Sequence, residues 1–102
     1  MAKNSPESEI KRGNAKDITD RTFRFAVRIV KASRAIPKTT EGSILGRQLV
    51  RAGTSVGANV EEAQGSSSKR EFVRRMNIAR SEAREVHYWL RPVFFRQQEC
   101  VN

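Results

Sequence analysis

Cysteine is nearly absent from this chain. Cys100 is the only one, so no disulfide can form within the molecule, and a reducing, intracellular setting is the default expectation. Histidine is as scarce: His87 stands alone, which excludes a His-based metal cluster within one chain. There is no glycine-rich phosphate loop and no Glu-x-x-His spacing of the kind that builds di-iron sites in helical bundles. Cys100 has no base partner in view, and His87 lies between Val86 and Tyr88 on the flank of an apolar helical pattern. Catalysis therefore has no constellation to stand on. The chain reads as a non-enzyme, and no metal or cofactor is expected. No apolar run approaches the roughly 20 residues that cross a membrane. Residues 1–14 lack the apolar middle of a signal peptide. A cytoplasmic protein without membrane association is the expectation.

Acidic residues are also in short supply. Twenty Lys and Arg face eleven Asp and Glu, a net charge of +9. The excess is no terminal tail: residues 1–17 carry +1, residues 18–65 carry +4 and residues 66–102 carry +4, counted along the sequence. A field of that sign favours polyanions, meaning nucleic acid or acidic proteins. The alternative is charge that serves solubility alone. With 37% hydrophobic and 30% charged residues, the chain is too apolar for full disorder. The 102 residues fit one domain with a modest core, and oligomerisation would add to its stability.

What is present is helical periodicity. Residues 1–16 hold Asn4, Pro6, Gly13 and Asn14 without a repeat, and read as a flexible arm. A first helix is expected from Asp17 or Thr19 to about Ala35. Phe23, Ala26, Val27 and Val30 form one row on it, and Phe25, Ile29, Ala32 and Ile36 a second. Together they make a face wide enough for two neighbours. Pro37 disfavours helix at Ile36. Thr39 or Thr40 caps a second helix, from Glu41 to about Gln64, whose stripe is Leu45, Leu49, Ala52, Val56, Val60 and Ala63. Gly53 and Gly57 inside it cost about 1 kcal/mol each relative to alanine, which suggests that another backbone comes close. Gly65 suits a C-cap, and Ser67 or Ser68 an N-cap for a third helix from Lys69 to Leu90. Phe72, Met76, Ala79, Ala83, Val86 and Leu90 keep a seven-residue repeat there, the seam of a left-handed bundle. Pro92 is expected to stop or kink this helix, leaving 92–102 as a short tail. The bundle domain is 17–91. Short loops imply an all-α, up-and-down antiparallel bundle.

Two polar patterns remain. Ser55, Asn59 and Glu62 lie on one face of the second helix, where a polar row beside an apolar stripe fixes register against a facing helix or binds a ligand. The basic residues also fall in rows. Arg24, Arg28 and Lys31 are on the first helix, and Arg47 and Arg51 on the second. Arg70 and Arg74, then Arg80, Arg84 and Arg91, are on the third. Guanidinium forks at helical spacing suit a phosphate backbone, without reading bases. The alternative is a solvated face with glutamate partners, as Glu71 four residues before Arg75 suggests. No helix-turn-helix or other base-reading motif is present.

The stretch LGRQLVRAGTSVGANVEEAQ, residues 45–64, resembles the signature of the bacterial four-helix-bundle proteins, also called 23S ribosomal-RNA intervening-sequence proteins. Gln48, Arg51, Ser55, Ala58, Asn59 and Glu62 fall on that pattern. DITDRTFRFAVRIV at 17–30, AIPKTTEG at 35–42 and KREFVRRMNIARSEAREVHYWLR at 69–91 are similar to the family's flanking helices. The accessory variability proteins of diversity-generating retroelements are similar to it as well. The resemblance implies an up-and-down bundle that assembles as a homopentamer. It also implies, through the retroelement relatives, RNA or DNA and a reverse transcriptase as partners. One departure stands out: Pro92 falls where the family turns into a fourth helix, so that helix is expected to be absent or a stub.

The reading that results is a non-enzymatic, oligomeric scaffold contacting nucleic acid through arginine rows. The alternatives are a protein-interaction module with solubilising charge, or a truncated remnant without activity.

Overall fold

The computed structural model describes the backbone of residues 6–101 and the side chains of residues 15–93 and of Phe95. Three α-helices follow one another: α1 (Pro6–Ser33), α2 (Thr40–Gln64) and α3 (Lys69–Val101). No strand occurs among the described residues. The ends of the helices follow from local chemistry. At the close of α1 the amides of Arg34, Ala35 and Ile36 bond to the carbonyls of Lys31, Ala32 and Ser33, tightening the last turn before Pro37. Thr39 caps α2, its hydroxyl accepting from the Gly42 amide at 3.1 Å. Ser68 caps α3 in the same way, accepting from the Glu71 amide at 3.1 Å. Gly65 stands at the C-cap of α2, yet its φ of −91° leaves the left-handed freedom of glycine unused.

Two boundaries differ from the sequence expectation. Helix α1 begins at Pro6, where 1–16 reads as an arm. A proline in the first turn gives up an amide that has no intrahelical partner anyway, and an isolated Gly13 costs only about 1 kcal/mol. Helix α3 runs through Pro92 to Val101, so the expected tail is helical up to Val101. The proline removes the bond to the Tyr88 carbonyl, at a cost of about 3 kcal/mol in a helix interior. Val93, 7% exposed and part of the core, offsets this with roughly 1.5–3 kcal/mol of burial. The side chains of Phe94 and Cys100 lie outside the described residues.

Helix α2 is the centre. Gly53 faces Ile29 and Gly57 faces Thr22, so α1 runs antiparallel to it. Arg51 meets Glu82 and Glu85 while Asn59 meets Arg75, so α3 is antiparallel to it too. Among the described residues, no Cα of α1 comes within 8 Å of one in α3. Side chains from all three helices and from the turn after α1 share one core cluster: Ile29, Ile36, Leu49, Ala52, Val56, Val86 and Val93. Of the two apolar rows on α1, the one through Ile29 and Ile36 packs inward; Phe23 and Val27 are exposed. The α3 seam is likewise half used. Ala79 and Val86 are buried, while Phe72 and Ala83 are exposed.

Candidate nucleic-acid interface

The ten basic candidates divide into residues that already have a carboxylate and residues that do not. Arg51 reaches across from α2 to α3. Its Nη1 donates to Glu82 Oε2 at 3.1 Å, its Nη2 to Glu85 Oε1, and its Nε to Gln48 Oε1 at 3.1 Å. Trp89 Nε1 donates to the same Glu85 oxygen at 3.1 Å, so the carboxylate joins two helices and an aromatic ring. Arg74 grips Glu71 with Nε at 3.0 Å and Nη2 at 2.7 Å. That hydrogen bond holds the Glu71 carboxyl below its ordinary value against partial desolvation, and the same contact raises the Arg74 guanidinium. These two arginines have part of their charge neutralised at home, which weakens their claim on phosphate.

The others are different. Arg28, Lys31, Arg47, Arg70, Arg80, Arg84 and Arg91 are exposed, and no described carboxylate lies within 4.0 Å of any of them. Arg24 is exposed as well and, among the described residues, donates to the Asp20 carbonyl at 3.4 Å. They do not form one surface. Arg47 sits with Lys38 by the turn between α1 and α2. Arg24 and Arg28 line a groove of about 580 Å³ between α1 and α3, with Val56 of α2 in its lining. Arg80 lies one turn before Ala83, which forms the α3 wall of that groove. Arg24 and Arg28 therefore border this groove, with Arg80 one turn from its α3 wall, and Arg47 lies elsewhere.

Arg21 also lines the groove and pairs with Asp17 at 3.5 Å. It was not among the sequence candidates, although the four-residue Asp-to-Arg spacing could have marked it. In the polar row of α2, Asn59 is the member that reaches a facing helix. Its Oδ1 accepts from Arg75 Nη1 at 3.3 Å, and its Nδ2 donates to the Ser55 carbonyl at 2.9 Å. Ser55 is half-buried beside it, and Glu62 is exposed. Among the described residues no three His, Cys, Asp or Glu side chains gather as metal ligands, and no helix is long and apolar enough to cross a membrane.

Such a molecule belongs to a class: small all-α bundles whose outer helices carry exposed arginines with no carboxylate at hand among the described residues. Within that class, the chain belongs to the 23S rRNA-intervening sequence protein family, whose family model matches residues 14–97. Among solved structures, it is similar to a protein of unknown function from the S23 ribosomal protein family of Bacteroides thetaiotaomicron. The TM-score is 0.75 at 33% identity, over 82% of this chain and 75% of that one. No curated protein matches.

Proposed function

We propose that the chain is a non-enzymatic helical scaffold that binds nucleic acid through its backbone phosphates and works as a homo-oligomer. The observation that carries this reading is the set of exposed guanidinium groups on α1 and α3 that have no carboxylate within 4.0 Å among the described residues. An arginine with no partner at home gains a full charge-assisted contact from phosphate; a paired one exchanges one contact for another. Oligomer formation is supported by large apolar side chains left in water, among them Phe23 at 61% and Tyr88 at 57% exposure. The pentamer that the family resemblance implies is the assembly we expect. The family's description names 23S rRNA, so RNA is the first polyanion to test.

The test is a salt titration of binding to unrelated single-stranded RNA oligonucleotides, followed by fluorescence anisotropy. Four phosphate contacts give a slope of about −3 in log K against log salt, and replacing Arg80, Arg84 and Arg91 by alanine flattens it by about 2. No binding near about 50 mM salt, or binding indifferent to salt, defeats the reading. Light scattering on the same sample tests the oligomer; a monomer refutes that half.

A further inference from the structure

The groove between α1 and α3 has an apolar floor and cationic rims. Ile18 and Phe25 are half-buried along its α1 side, Val56 of α2 lies at its base, and exposed Ala83 forms its α3 wall. Its volume, about 580 Å³, is within the ordinary range of binding clefts, roughly 300–1,000 Å³. Arg28 stands on one rim. On the other, Arg80 sits three residues before Ala83, which places it on the outer flank of that wall. The acidic residues of α3 that are engaged in packing, Glu82 and Glu85, face Arg51 on the other side of the α2–α3 contact. Asp17 is held by Arg21.

This combination discriminates between occupants. A nucleic-acid strand would satisfy the rims but not the floor, whose half-buried Ile18, buried Val56 and exposed Ala83 are aliphatic and offer no stacking surface. In a second copy, the outer helices α1 and α3 carry the same positive sign, and α2 already has its apolar stripe buried. An amphipathic helix with an apolar stripe and acidic flanks satisfies floor and rims together. We propose that the α1–α3 groove docks such a helix, supplied by another protein. The proposal stands apart from the nucleic-acid reading, because it needs the apolar floor and that reading does not.

The probe is a labelled synthetic peptide of about three heptads, with leucine at the a and d positions and glutamate at e and g. Two control peptides keep its length: one scrambles the leucines, and one replaces glutamate by lysine. With the full chain, the patterned acidic peptide should bind at least about tenfold more tightly than either control. Ala83→Trp, at an exposed position, fills the trough and should weaken that binding about tenfold or more, with helix content by circular dichroism unchanged. Arg28→Glu should weaken it too, and serves as the test if the tryptophan variant does not fold. The proposal fails if scrambled and patterned peptides bind alike, or if the patterned peptide shows no binding up to about 100 μM. It also fails if Ala83→Trp weakens RNA binding while leaving the peptide untouched, since the groove is then a nucleic-acid slot.

Discussion

The two flanks of α2 are built from opposite materials. Toward α1 it presents Gly53 and Gly57, and α1 comes in close: a Cβ built on Gly53 would stand 2.7 Å from Ile29 Cγ2, and one on Gly57 3.4 Å from the Thr22 carbonyl oxygen. No side-chain hydrogen bond is found between α1 and α2 among the described residues, and the Thr22 hydroxyl is satisfied within its own helix by the Ile18 carbonyl at 2.9 Å. Toward α3 the same helix presents Arg51 and Asn59, whose long polar side chains add hydrogen bonds to the packing of Val86 and Val93. One flank is fixed by steric fit alone, and the other adds hydrogen bonds and charge to its buried apolar contacts. The α1 flank should therefore respond to added volume and ignore pH and salt, and the α3 flank should respond to pH and salt as well.

The largest effect should come from breaking both flanks at once. Leu49, 1% exposed, lies in the core cluster with Ile29 on one side and Val86 on the other. Leu49→Ala is expected to cost about 2–5 kcal/mol, a large share of the roughly 5–15 kcal/mol that a domain has. Urea unfolding measures it, and a loss well below this range would mean that the two flanks do not share a core. Next comes the α1 flank alone. Gly53→Ala meets Ile29 Cβ at 3.0 Å and Cγ1 at 3.1 Å as well as Cγ2, atoms near the backbone that cannot swing away. Overpacking of about 1–3 kcal/mol, less the roughly 1 kcal/mol alanine gains in a helix, predicts a net loss of up to about 2 kcal/mol. Gly57→Ala makes ordinary contacts and should be neutral or stabilising by up to about 1 kcal/mol. Equal effects at the two glycines would undo the claim that close approach is concentrated at Gly53.

The α3 flank is the one that local sequence patterns could not show. Helix periodicity and caps mark α2 and the start of α3 because those signals lie within a few residues of one another: Thr39 to Gly42, Ser68 to Glu71. The pairing of Glu71 with Arg75 is legible for the same reason. The partners of Arg51 lie 31 and 34 residues away, so from the sequence it reads as a free cation and joins the phosphate candidates. Pro92 fails as a stop signal for a related reason. Its local cost is readable, while the burial of Val93 that offsets it is tertiary. The α1–α3 groove has no local signature at all, since its residues come from three helices. Nor could the sequence say which apolar row of α1 faces inward, because both are equally hydrophobic.

A double-mutant cycle on Arg51 and Glu82 isolates the polar contact. With the Glu82 side chain 18% exposed and Arg51 45%, a coupling of at most about 1 kcal/mol is expected. It should shrink in high salt, whereas the Gly53→Ala penalty should not. Coupling that persists unchanged in concentrated salt would show that the α3 flank, too, is held by shape.

The smallest effect should be the dependence of the α3 flank on acid. Glu71 is half-exposed, takes two hydrogen bonds from Arg74 and a third from Arg75 at 3.3 Å, and Arg75 in turn reaches Asn59 on α2. The carboxyl has an ordinary value of 4.5, and the Arg74 hydrogen bond lowers it in the folded protein. The folded state then binds that proton less readily than the unfolded chain does. A lowered carboxylate contributes stability in full above its unfolded value of 4.5, and that contribution fades as the pH falls through the lower folded value. Glu71→Gln keeps the shape and loses the charge, so the variant should melt below the wild type near neutral pH. The gap should close as the medium is acidified from about pH 5 to about pH 3, while the other carboxylates, common to both proteins, cancel in the difference. Thermal melts of the two proteins across that range supply the measurement. A gap that stays constant with pH would mean that the Glu71 contribution is packing rather than charge, and would make the two flanks of α2 more alike than their chemistry suggests.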